Sequence, residues 1–158
     1  MNFDIISIDC LTHLPYFIKE EDRQNLKTVK NIYGKEVDPD NRFFLSSSDS
    51  ASLKVSVMSK KPIGIDMEQE RIINPKSHPL FINENEKGLL KTEAKNENIP
   101  LFLWMIKESF LKLLGTGLHI NPKKVTISKS KIFVNDLYVR CRIKIFKYQH
   151  FYITILEV

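Results

Sequence analysis

The chain has 158 residues, 42% hydrophobic and 27% charged, with a formal net charge of +5, the composition of a soluble globular protein with one domain burying roughly 68–70% of its unfolded surface. No apolar run approaches the ~20 residues that span a bilayer, and two cysteines with four scattered histidines offer neither a redox nor a zinc spacing. A reduced cytoplasmic protein is expected, and its positive charge favours acidic partners without choosing among them.

Residues 3–10, Phe-Asp-Ile-Ile-Ser-Ile-Asp-Cys, mix apolar and polar positions as a first strand does, and their acids are unlike a signal peptide. A short helix is expected over residues 18–32, with Glu20, Glu21 and Asp22 in its first turn and Lys27 and Lys30 near its end, matching the helix dipole. Residues 33–41 read as a loop. Arg42-Phe-Phe-Leu45 reads as a short strand ending in Ser46-Ser-Ser-Asp-Ser-Ala-Ser52. Such a run marks a turn or a helix N-cap, or else offers hydroxyls and backbone N–H groups to a phosphate. Residues 53–58 alternate apolar and polar, and with residues 63–68 they read as a β-hairpin turning at Lys60-Lys61-Pro62.

Residues 81–95 read as a helix capped by Asn83 with Glu86 three positions on. Pro100 opens the next helix, over residues 101–114, and Gly115 or Gly117 ends it. Four strands are expected after Pro122, at residues 125–128, 131–134, 137–145 and 151–156.

The 101–114 helix carries the chemistry. Leu103, Ile106, Phe110, Leu113 and Leu114 form one apolar arc, with Trp104, Glu108 and Lys112 as a stripe beside it. Lys107 projects near the middle of the arc, where an ammonium is costly unless paired or wet. Asp66 and Glu68, at i and i+2 on a strand, point to one side and want a cation. With Glu108 as third carboxylate and the lysines beside it, the set suits Mg²⁺ and phosphate. Spacing alone also leaves open a frayed strand end with two exposed acids and an ordinary helix with a surface Glu–Lys pair.

Gly64-Ile-Asp66-Met-Glu68, followed about 40 residues later by Trp104-Met-Ile-Lys107-Glu108-Ser-Phe-Leu-Lys112, resembles the signature pair of the 4′-phosphopantetheinyl transferases. Phe81-Ile-Asn-Glu-Asn-Glu86 and Gly115-Thr-Gly-Leu118 are similar to segments those proteins carry between and after the motifs. The resemblance implies an α+β fold of the surfactin-synthetase-activating type. Two similar halves, 1–61 and 62–158, would pack in one compact chain with the active site between them. The implied reaction moves the 4′-phosphopantetheine arm of coenzyme A onto a serine of an acyl or peptidyl carrier protein, with Mg²⁺, releasing 3′,5′-ADP. Asp66, Glu68 and Glu108 would hold Mg²⁺ on the pyrophosphate. Glu108 would also deprotonate the carrier serine, directly or through water, and Lys107 and Lys112 would neutralise the diphosphate.

Upstream, Gly34-Lys35 is similar to the family's Gly-Lys-Pro, with Glu36 in place of proline. Leu45-Ser46-Ser47-Ser48 is similar to its Leu-Ser-His-Ser, with Ser47 at the histidine. The resemblance thus implies Lys35, Ser46 and Ser47 as coenzyme A contacts. A serine cannot carry the histidine's positive charge, so a second reading is a degenerate member that binds coenzyme A or a carrier protein without efficient turnover. A third, a basic nucleic-acid-binding domain, rests on Arg140-Cys-Arg-Ile-Lys-Ile-Phe-Lys147. That alternation is the ordinary pattern of a surface strand, so neither nucleic acid nor membrane is expected as a partner.

Overall fold

The computed structural model describes residues 3–92 and 97–158. In chain order its elements are β1 (Ile5–Ser7), α1 (Glu20–Gln24), β2 (Val29–Lys30), β3 (Glu36–Val37), β4 (Phe44–Ser50), β5 (Leu53–Ser59), β6 (Ile63–Gln69), α2 (His78–Phe81), α3 (Glu84–Thr92), α4 (Ile99–Leu114), β7 (Val125–Ser128), β8 (Lys131–Val134), β9 (Leu137–Val139), β10 (Arg142–Tyr148) and β11 (Phe151–Glu157). The fold is α+β. Among the described residues no helix is long and apolar enough to cross a membrane.

The central sheet runs β1-β10-β11-β6, with β1 parallel to β10 and the other pairs antiparallel. Alternation along β6 and β11 sends successive side chains to opposite faces. On one face Tyr152 and Leu156 join Phe102, Ile106 and Phe110 of α4 in a core that β7 and β8 extend. On the other, Ile63, Ile65, Met67, Ile153 and Ile155 pack with Val55 and Val57 of β5 and with Leu14. The sheet is thus sandwiched between the long helix and the β4–β5 hairpin.

Several sequence-based expectations change. The serine run is not a turn but most of β4, and the turn follows at Ala51, whose φ is +54°. The expected hairpin partners are exchanged as well: β5 pairs with β4, while β6 pairs with β11 through registers such as Asp66↔Thr154. Alternation identifies a strand without naming its neighbour, and β6 is apolar enough to be buried on both faces. Lastly, the helix expected over residues 18–32 is only the five-residue α1, with β2 falling inside the same span. Asn25, Thr28, Val29 and Asn31 are weak helix formers, and Val29 and Ile32, apolar at helical spacing, stay exposed, so packing does not compensate.

The span expected as one strand at 137–145 divides into β9 and β10 around Arg140 and Cys141. Asn83 and Glu86 form the reciprocal cap the sequence predicts: Glu86 N–H donates to Asn83 Oδ1 at 3.2 Å and Asn83 N–H to Glu86 Oε2 at 3.1 Å. Residues 93–95 of that expected helix lie outside the described residues. Pro100 sits in the first turn of α4, and Gly115 ends the helix in the left-handed region at φ +78°.

Strand β4 flanks β6 through side chains. The N–H of Ile65 donates to Ser46 Oγ at 3.1 Å, that of Met67 to Ser48 Oγ at 3.1 Å, and that of Gln69 to Ser50 Oγ at 3.2 Å. Serines at i, i+2 and i+4 point one way from an extended chain, so the three hydroxyls form a seam along β6.

Candidate active site

Gly64 sets the distance between β6 and α4. A Cβ there would lie 1.9 Å from the Ser109 carbonyl oxygen and 2.8 Å from the Leu113 nitrogen, so only glycine lets the two backbones close. Asp66 and Glu68 follow on the same face of β6 and meet the stripe of α4. One carboxylate oxygen from each of Asp66, Glu68 and Glu108 lies within 4.8 Å of the other two.

Asp66 is 2% exposed. Its Oδ1 accepts from Lys112 Nζ at 2.9 Å and from Ser48 Oγ at 3.0 Å, while its buried Oδ2 has no hydrogen-bond partner among the described residues. Glu68 accepts from Trp104 Nε1 at 3.2 Å through one oxygen and from Arg71 Nη2 at 3.2 Å through the other. Lys112 Nζ lies 3.4 Å from Glu108 Oε1 and 3.0 Å from Ser48 Oγ. Burial, opposed by Lys112 and Ser48, raises the Asp66 carboxyl above its ordinary range. Burial and the neighbouring Asp66 raise Glu108 in the same direction. Burial works against the Lys112 ammonium, but Asp66 and Glu108 together outweigh it and raise its pKa.

Three carboxylates, one with an unpartnered buried oxygen, form an all-oxygen donor set with neither imidazole nor thiolate. That chemistry suits a hard divalent cation such as Mg²⁺ rather than zinc, and an unsatisfied buried oxygen is costly unless something fills it.

A cavity of about 380 Å³ adjoins the acids. Arg23, Lys30, Lys35, Ser46, Ser47 and Lys112 line it, and Lys112 joins it to the acid cluster through Asp66 and Glu108. Arg23 is paired with Glu36, also on the wall. Lys35 Nζ donates to the Lys112 carbonyl oxygen at 2.5 Å, and burial pulls its pKa down to about 8. Ser47 Oγ lies 2.7 Å from Ser56 Oγ, while the Ser46 hydroxyl is engaged with Ile65 N–H. The structure therefore brings Asp66, Glu68, Glu108 and Lys112 together, with Lys35, Ser46 and Ser47 on the adjoining wall.

Lys107 does not join them, which corrects the expectation that it neutralises the diphosphate. It is 0% exposed, 2.6 Å from Glu86 Oε2 and 2.6 Å from the Phe81 carbonyl oxygen. Its place in the apolar arc is closed core rather than cleft. Burial lowers its pKa and Glu86 opposes the shift. Sequence reasoning gives no role to Ser48, whose hydroxyl serves Asp66, Lys112 and Met67 N–H. The signals for Ser48 are its even spacing from Ser46 and Ser50 and its place at the last serine of the Leu-Ser-His-Ser resemblance.

The model of the 4′-phosphopantetheinyl transferase superfamily matches residues 62–153. The 4′-phosphopantetheinyl transferase gsp of Aneurinibacillus migulanus is 38% identical over 111 residues, covering 68% of this chain and 46% of that protein. The 4′-phosphopantetheinyl transferase Sfp of Bacillus subtilis (strain 168) is 30% identical over 102 residues, covering 63% and 46%. The 4′-phosphopantetheinyl transferase ffp of Bacillus subtilis is 35% identical over 92 residues, covering 56% and 41%. The matched part thus spans less than half of each relative's length. The family match runs from the strand bearing Asp66 and Glu68 through α4 into β11, more than half of the chain, and on it the chain belongs to the 4′-phosphopantetheinyl transferase superfamily.

Proposed function

We propose that the chain transfers the 4′-phosphopantetheine moiety of coenzyme A to a serine of an acyl or peptidyl carrier protein. The observation that carries this reading is Lys112, which borders the cationic cavity and is paired with Asp66 and Glu108. A diphosphate lying in the cavity would meet lysines at one end and the acid cluster at the other. A Mg²⁺ ion held by Asp66, Glu68 and Glu108 would supply charge neutralisation to it.

In the reaction the carrier serine oxygen bonds to the phosphorus bearing the pantetheine arm. The bond from that phosphorus to the bridging oxygen breaks, and 3′,5′-ADP leaves with the electron pair. The serine proton passes to Glu108, directly or through water. Lys112 and Lys35 balance charge at the diphosphate. The cavity lies between residues of 1–61 and Lys112 with Gly117 of 62–158, which supports a site between two halves. A net charge of +5 favours encounter with an acidic carrier.

The second reading, binding without efficient turnover, draws on Ser47, which stands at the family's histidine and is bonded to Ser56. Arg23, Lys30 and Lys35 on the same wall supply cations that the serine lacks, which favours transfer. The test is to mix the protein with coenzyme A, Mg²⁺ and an apo-carrier from the same cell and weigh the carrier by mass spectrometry. A gain of one phosphopantetheine group is expected. Coenzyme A binding without any mass gain on native carriers would select the second reading.

A further inference from the structure

The turn joining β2 to β3 is fastened to the end of α4 through Asn31 and Lys35. The last carbonyls of a helix lack partners within it. Here the Gly115 carbonyl accepts from Asn31 Nδ2 at 2.9 Å across 84 positions of sequence, and the Lys112 carbonyl accepts from Lys35 Nζ. The other end of the Asn31 amide shapes the turn: Oδ1 accepts from the N–H groups of Tyr33 and Lys35, both at 2.9 Å. The Asn31 backbone completes the turn, donating to the Lys35 carbonyl and accepting from Gly34 N–H, each at 2.9 Å. The Tyr33 ring lies 5.4 Å from that of His119, just beyond α4. A Cβ on Gly115 would come within 3.2 Å of Asn31 Nδ2, so the glycine leaves the amide its place.

Tyr33, Gly34 and Lys35 line the cavity together with Lys112 of α4 and Gly117 beyond it. Asn31 joins the two groups at the turn of α4 that follows Lys112. We propose that Asn31 is a positioning residue: it couples what occupies the cavity to the placement of Lys112 against Asp66 and Glu108. The identity of the occupant, coenzyme A, rests on the transfer reading above; the tether itself does not.

Asn31→Asp keeps an oxygen for the turn and replaces the donor facing the Gly115 carbonyl with a second oxygen. Amide exchange at Gly115 and Thr116, whose N–H groups bond back to Lys112 and Leu111, should quicken about three- to tenfold, the worth of one hydrogen bond. Exchange in β6 and β11 should stay as in the wild type. Coenzyme A affinity should fall by a similar factor, and Mg²⁺ should lose its strengthening effect on that affinity. The KM for coenzyme A should rise more than kcat falls. Asn31→Ala, which loses both ends of the amide, should show the same loss of coupling with a less ordered turn.

Unchanged exchange at Gly115 and Thr116 in both variants would overturn the tether, whatever the activity. Faster exchange with wild-type coupling between Mg²⁺ and coenzyme A would overturn the positioning role. A wild-type protein that binds no coenzyme A would instead overturn the transfer reading, leaving the exchange rates to decide the tether.

Discussion

Lys107 and Glu86 meet at 2.6 Å inside the core, neither of them exposed to water. Glu86 also receives the N–H of Ile127 at 2.8 Å and that of Asn83 at 3.1 Å, so the pair locks α4 to the start of α3 and to β7. Removing one member of such a pair strands a charge and costs about 3–5 kcal/mol. Lys107→Met should lower the unfolding free energy in urea by that order, and adding Glu86→Gln should recover part of the loss, since the amide oxygen still serves Ile127. A Lys107→Met protein as stable as the wild type would show that the bridge contributes nothing.

The unpartnered Asp66 Oδ2 predicts a response to metal. Mg²⁺ should raise the melting temperature of the wild type through its preference for the folded state. In Asp66→Asn that rise should vanish. Glu108→Gln should reduce carrier modification by about 10²–10⁴-fold, the usual worth of a positioned acid–base group, with an unchanged circular dichroism spectrum. A Glu108→Gln enzyme working at the wild-type rate would remove Glu108 from the site.

Lys35 gives a pH dependence with a definite sign. Its pKa is lowered from 10.5 to about 8 by burial, so the amine goes neutral as pH climbs through about 8 and the cavity loses a positive charge. Calorimetric binding of coenzyme A should weaken across that interval, and Lys35→Arg should flatten the profile there. The linked stability runs the other way. The folded protein gives up this proton before the unfolded chain does, so the penalty for burying the charge is complete below about 8 and lifts as pH rises towards 10.5.

Gly64→Ala should be more damaging than its single methyl suggests. The new Cβ would meet main-chain atoms of Ser109 and Leu113, which cannot swing aside as a side-chain tip can. Separating β6 from α4 should cost about 1–3 kcal/mol as overpacking and part Asp66 from Lys112. Urea unfolding and carrier modification should both register it, and loss of neither would mean that the strand and helix can shift without consequence.

The elements easiest to read from sequence were those whose signals are local. The apolar arc of α4, Pro100 at its start, Gly115 at its end and the Asn83–Glu86 cap all follow from residues within a few positions of one another. Strand pairing is not local, and β5 and β6 look like a hairpin until each is seen with its true neighbour. The candidate site divides similarly. Asp66, Glu68, Glu108 and Lys112 follow from strand and helix periodicity once the two motifs face each other. The fate of Lys107 does not, because a lysine within an apolar arc reads alike whether it borders a cleft or finds a buried acid. Its partner stands 21 positions upstream on another helix. Asn31 was invisible for the same reason: nothing near residue 31 announces Gly115.

The hydroxyl seam along β6 also bears on solubility. β6 is the outermost strand of its sheet, and the N–H groups of Ile65, Met67 and Gln69 face away from β11. A row of open donors on an apolar strand is a template for another chain to add to. Ser46, Ser48 and Ser50 occupy those donors without extending the sheet, so a chain adding at this edge would first have to displace three hydroxyls.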